Sequence, residues 1–115
     1  MSLNFDELRE KNVSRCNSVF HSLESWTPTD WATAFAGEAG EACNVVKKLK
    51  RLETKTNTAK DPQAEDECIC LIGLELADTI IYADLLAARL GINLGEMVRL
   101  KFNKVSELYH AEERL

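Results

Sequence analysis

The stretch CICLIGLELADTIIYADLLAARL, Cys68 to Leu90, decides the fold. It is so apolar that a helix here is expected to be buried nearly all round, and Gly91 stops it as a C-cap. Downstream, Asn93 and Glu96 in NLGE form a capping-box pattern. It predicts a fourth helix from Leu94 to about Glu113, with Leu94, Met97, Val98, Phe102, Val105 and Leu108 on one side. Upstream, the polar segment ETKTNTAKDPQAEDE has no apolar period and contains Pro62, so 53–66 is expected as a mobile surface loop, long enough to act as a lid. Before it, Thr27 as N-cap and Pro28 at the first helical position open a second helix, expected to reach about Leu52. A first helix is expected from Asn4 to about Glu24, on the apolar positions Leu8, Val13, Cys16, Val19, Phe20 and Leu23.

Composition agrees with an all-α class. At 115 residues the chain is expected to form one domain, and few glycines, two prolines and 7% aromatic residues suit helix packing better than a β-sandwich. A net charge of −5 argues against a nucleic-acid footprint, with Lys47, Lys48, Lys50 and Arg51 the one basic run. That run reads as the solvated end of helix two, complementing its dipole, or as a seat for a phosphate ligand. No stretch approaches a membrane span and the N-terminus lacks signal-peptide order, so a cytoplasmic protein with no membrane partner is expected. Cys16, Cys43, Cys68 and Cys70 show no CxxC pair and read as reduced packing residues.

The chemistry sits in two short runs. In GEAGEA, Gly37 to Ala42, Glu38 and Glu41 are three apart on helix two, and Ala34, Gly37, Gly40 and Ala42 are small enough to admit a neighbouring helix closely. In ELAD, Glu75 and Asp78 repeat that spacing on helix three amid Ile72, Leu74, Ile80 and Ile81. If the two helices form an antiparallel hairpin, four carboxylates share one small volume. Such a cluster needs a cation, and hard oxygen donors without His or Cys suit Mg²⁺, with Mn²⁺ as a substitute. Positions left open on the metal would take water and phosphate oxygens.

The pattern GEAGEACNVVKK, then ELADTIIYADLLAARLGINL, then KFNKVSE resembles the all-α nucleoside triphosphate pyrophosphohydrolases, the MazG-like superfamily, over roughly Thr29 to Glu107. The family signature, E-x-x-E followed by E-x-x-D, is matched by Glu38, Glu41, Glu75 and Asp78. The resemblance implies a four-helix bundle-like fold assembled as a homodimer or homotetramer. It also implies Mg²⁺-dependent hydrolysis of a (d)NTP at the α-phosphate to (d)NMP and pyrophosphate, in house-cleaning or nucleotide-pool control. The four acids would hold metal, with Glu38 or Glu41 serving the attacking water. Tyr82 matches a position lining the nucleotide site, and Lys101 and Asn103 in KFN match an element near the phosphates. Here the chain departs from relatives that space that Lys and Asn four apart with an Arg beyond. The 33 residues between the two acid pairs exceed the usual gap, with the excess in the 53–66 loop.

Lys48, seven residues beyond Glu41 on nearly the same face, is a further candidate for the phosphate tail. Trp31 and Trp26 read as base-stacking residues or as core and interface anchors. Helix three is apolar on more faces than two neighbours cover in a monomer of this length, which also points to a symmetric homo-oligomer. The alternative from another class is a non-catalytic helical interaction module with a structural cation site. A phosphoribosyl-ATP pyrophosphohydrolase and a di-iron carboxylate protein rank lower, the latter because E-x-x-H is absent.

Overall fold

The computed structural model describes residues 2–54 and 61–115. Among them all regular structure is helical, with no strand: α1 (Phe5–Arg15), α2 (Pro28–Glu53), α3 (Pro62–Arg89) and α4 (Leu94–Leu108). The all-α class expected from the sequence is observed. No helix among the described residues is long and apolar enough to cross a membrane. Packing divides the chain into two compact units, one of residues up to Pro28 with Asp84–Leu115, the other of Thr29–Ala83.

In the unit that holds both termini, Asn4 caps α1 by accepting the Glu7 N–H at 2.8 Å. The helix expected to run to Glu24 does not. It ends at Arg15, loosens into a π turn over Cys16–Phe20, and breaks where His21 turns extended (φ −159°, ψ 163°). Local side chains compete for the backbone there: Asn17 accepts the Leu23 N–H at 2.7 Å, and the Cys16 thiol reaches the His21 carbonyl at 3.2 Å. Leu23 is thereby buried, while Val19 and Phe20 stay exposed.

The centre of this unit is polar. Asp84, 1% exposed, accepts from Arg9 Nε at 2.9 Å and from Asn12 Nδ2 at 3.0 Å. Arg9 also donates to the Ile92 carbonyl at 2.8 Å, tying α1 to the turn before α4. α1 and α4 approach closely because Gly95 has no side chain: a Cβ there would stand 3.0 Å from that of Phe5.

The stops of α3 and α4 are both left-handed. After α3, Gly91 takes φ 69° and the Ile92 N–H returns to Ala87 O at 2.8 Å, as the sequence predicts. α4 stops at Leu108, five residues short of the expected Glu113, because His110 takes φ 57° and the Ala111 N–H reaches back to Ser106 O at 2.8 Å. A histidine played the part usually given to glycine. The Asn93 cap is as expected, accepting the Glu96 N–H at 3.1 Å. Of the apolar side predicted for α4, Leu94 is half-buried while Met97, Val98, Phe102, Val105 and Leu108 are exposed.

The second unit pairs α2 with most of α3. Trp31 lies 6.3 Å from Tyr82 between ring centroids, Cys68 Sγ is 3.5 Å from Val45 O, and the acids of the two helices meet between these points. Early α2 thus faces late α3, so the hairpin is antiparallel. α3 starts at Pro62, earlier than the loop reading of 53–66 expects, since Asp61 caps it through the N–H groups of Gln63 (3.0 Å) and Ala64 (3.3 Å), with Pro62 harmless at the first position. The remainder of that loop, 55–60, lies outside the described residues.

α3 is not buried all round. Trp31, Ala42 and Val45 of α2 are buried against one side, whereas Ile69, Leu74, Leu76 and Ile80 of α3 are each half-exposed or more. One neighbour covers one face.

Candidate metal centre

All four predicted acids lie in the hairpin unit, Glu38 and Glu41 on α2 and Glu75 and Asp78 on α3. One carboxylate oxygen from each of Glu38, Glu41 and Glu75 falls within 4.8 Å of the others. Around an octahedral Mg²⁺ ion neighbouring oxygens stand about 3 Å apart and opposite ones about 4.2 Å, so the three donors would have to draw closer to share one ion. Asp78 stands outside that set, yet its charge acts on both Glu38 and Glu75.

Burial is graded across the cluster. Glu38, Glu75 and Asp78 are half-buried and Glu41 is exposed, so the site opens to solvent at Glu41. Gly37 and Gly40, expected to admit the neighbouring helix, are exposed with nothing within 4 Å of where a Cβ would stand. The α3-facing positions of α2 are instead Trp31, Ala42 and Val45.

Electrostatics mark the cluster as uncompensated. Glu75 Oε2 is closed off from solvent and has no hydrogen-bond partner, a condition native proteins seldom leave a carboxylate in. Burial first, then a hydrogen bond and the charge of Glu41, then the charges of Asp78 and Glu38, push the Glu75 carboxyl above the ordinary carboxylate range. The Glu38 carboxyl is raised as well, by burial and then by the charges of Glu41 and Asp78. Both shifts favour the protonated form, and a cation supplied to the cluster reverses them.

Tyr82 is half-buried against Trp31, and Trp31, 1% exposed, is a core side chain: of its two readings it takes the core anchor and presents no ring face to a base. Lys48 is exposed on α2. Lys101 and Asn103 belong to the other unit, where Lys101 is exposed and the Asn103 amide donates to Leu115 O at 3.2 Å and accepts its N–H at 2.8 Å. Asn103, expected near phosphates, has both ends of its amide occupied by backbone.

Sequence reasoning missed Asp84. The signal was present: a lone acid in YADLLAA asks for a partner, and Arg9 and Asn12, three apart on α1, supply a cation and an amide from one face. Comparisons with protein-family models, with curated proteins and with solved structures return no match.

Proposed function

We infer that this chain is a metal-dependent nucleoside triphosphate pyrophosphohydrolase of the MazG-like kind. It would cleave a (d)NTP at the α-phosphate to (d)NMP and pyrophosphate and work as a homo-oligomer in the cytoplasm. The observation that carries this reading is the clustering of carboxylate oxygens of Glu38, Glu41 and Glu75 within 4.8 Å of one another, on a Glu75 whose Oε2 is buried without a partner. An all-oxygen donor set suits Mg²⁺ or Mn²⁺ better than zinc, and without an E-x-x-H pair it suits a di-iron centre less.

When bound, the ion supplies neutralisation of phosphate charge and polarisation of the scissile anhydride. The residues divide the remaining work. Glu38 and Glu75, withdrawn from water on facing helices, fix the donor positions, and Asp78 adds charge from the next turn of α3. Glu41, the exposed member, has the access needed to orient a water and accept its proton. Such a reaction needs positioning and charge stabilisation more than covalent help, which suits a site holding no Ser, Cys or His nucleophile among these acids.

The runner-up, a helical interaction module with a structural cation site, is favoured by the exposed apolar side chains of α3 and α4. Pyrophosphate release from a panel of (d)NTPs with and without Mg²⁺, beside Glu41→Gln and Asp78→Asn, separates the two. Metal-dependent release lost in both variants supports the enzyme. A folded, metal-binding wild type that hydrolyses no nucleotide supports the module.

A further inference from the structure

A cavity of about 200 Å³ lies between α1 and the turn that leads into α4. Phe5, Asp6 and Arg9 line it from α1, Ile92 and Leu94 from the turn, and the buried Asp84 from α3. All of them belong to the unit that holds both termini, and none to the acid cluster. At about 30 Å³ per water in the liquid the space holds about seven, the size of a small amino acid and well below that of a nucleotide.

Arg9 is the informative side chain. An aspartate and an arginine three apart on a helix ordinarily pair across its surface, and Asp6 and Arg9 have that spacing. Here Arg9 is drawn inward instead, its Nε donating to Asp84 at 2.9 Å and its Nη2 to the Ile92 carbonyl at 2.8 Å. These two bonds pin the guanidinium and leave Nη1 without a partner among the described residues. Asp6 enters no ion pair among them either. An acid in the first turn of a helix is commonplace, since it complements the dipole. One that shares a cavity with an arginine and does not pair with it is not.

These groups define the ligand by complement. The charge of Arg9 is met by Asp84, so Asp6 carries the uncompensated charge of the lining, while Arg9 Nη1 offers a charged donor with nothing to accept from it. A carboxylate alone would satisfy Arg9 and be repelled by Asp6, and an amine alone would satisfy Asp6 and leave Nη1 unmet. A zwitterion meets both, and its two charges need to stand only as far apart as two side chains on neighbouring turns of α1. Phe5, Ile92 and Leu94 add an apolar wall, with Phe5 held close against Gly95, where a Cβ would stand 3.0 Å from its own.

We propose that this cavity binds a free α-amino acid with an apolar side chain, its carboxylate on Arg9, its ammonium on Asp6 and its side chain against Phe5, Ile92 and Leu94. The site goes beyond the pyrophosphohydrolase reading and does not depend on it.

The test is a titration of the full chain followed by the amide resonances in NMR. L-Leucine and L-phenylalanine are expected to bind with a Kd of about 1 mM or below and to move the amides of Phe5, Asp6 and residues 91–95. N-acetyl-L-leucine, which lacks the ammonium, and L-leucinamide, which lacks the carboxylate, are each expected to bind about tenfold more weakly. Asp6→Asn is expected to weaken leucine by a similar factor and to leave N-acetyl-L-leucine unchanged. Arg9→Lys, which keeps a cation beside Asp84, is expected to weaken leucine and to leave L-leucinamide unchanged. Circular dichroism is read on both variants, and Asp6→Asn, an exposed position, decides alone if Arg9→Lys does not fold. No shifts with either amino acid at about 10 mM, analogues that bind as well as leucine, an Asp6→Asn variant with wild-type affinity, or shifts centred elsewhere overturn the proposal.

Discussion

Asp84 and Glu75 stand nine residues apart on α3, in different units, and the protein treats them oppositely. Asp84 is almost fully buried and both its oxygens are used, by Arg9 and by Asn12. Glu75 keeps one oxygen shut away from water with no partner, and its nearest charged neighbours are all negative. A withdrawn acid that is fully paired holds a fold together. One left unpaired among other acids opposes the fold until something positive arrives. The difference is the one expected between a carboxylate that serves the fold and one that serves a ligand.

The comparison is broken most severely by removing the partner from Asp84. Arg9→Ala, which strands a buried carboxylate, is expected to cost about 3 kcal/mol, the low end for a broken buried pair because the Arg9 side chain keeps 28% of its surface in solvent. Urea unfolding checks it, and added Mg²⁺ is expected to restore nothing.

Activity should respond to the other acids. Asp78→Asn is expected to lower metal-dependent pyrophosphate release by about 100-fold or more while leaving the urea midpoint of the metal-free protein at or above that of wild type. A fall in both would make Asp78 a second Asp84.

Ligand addition sharpens the contrast further. Mg²⁺ at about 100 times its dissociation constant is expected to stabilise wild type by about 2.7 kcal/mol, and Glu75→Gln is expected to lose most of that gain. The midpoint of thermal unfolding with and without the ion reads both.

The smallest effect is the most diagnostic in sign. Without metal, Glu75→Gln is expected to raise the unfolding midpoint at pH 7, where replacing a satisfied acid would lower it. For Glu38 and Glu75 the folded-state values lie above the ordinary carboxylate value of about 4.3, so the folded protein holds protons the unfolded chain has released. Their contribution to stability therefore falls as pH rises from about 4 through the raised values, and is regained on acidification. Saturating Mg²⁺ should flatten that slope, and a wild type whose stability rises with pH through this window in the absence of metal would contradict the assignment.

Much of this was legible in the sequence. Local chemistry announced the start of α2 at Pro28, the stop at Gly91 and the Asn93 cap, because each depends on residues within a turn of one another. Where the reading failed, a distant or unusual partner decided. Asn17 reached forward to Leu23 and broke the first helix despite its apolar period. Asp61 began α3 inside a segment whose composition reads as loop. His110 adopted a left-handed turn that composition does not signal. Asp84 waited for α1, more than seventy residues away along the chain. The apolar pattern of α3 was read as burial nearly all round, and within this chain Ile69, Leu74, Leu76 and Ile80 are surface.

The two tryptophans fall one to each unit, and this gives the molecule two optical reporters. Trp31 is 1% exposed and lies 6.3 Å from Tyr82, so it should emit at short wavelength and collect excitation from that tyrosine. Trp26, half-buried and stacked on His21 at 4.3 Å, reports the unit that contains Asp84. Replacing either by Phe leaves a single emitter, and the two melting curves would reveal whether the paired acid and the unpaired acids lose their surroundings in one transition or in two.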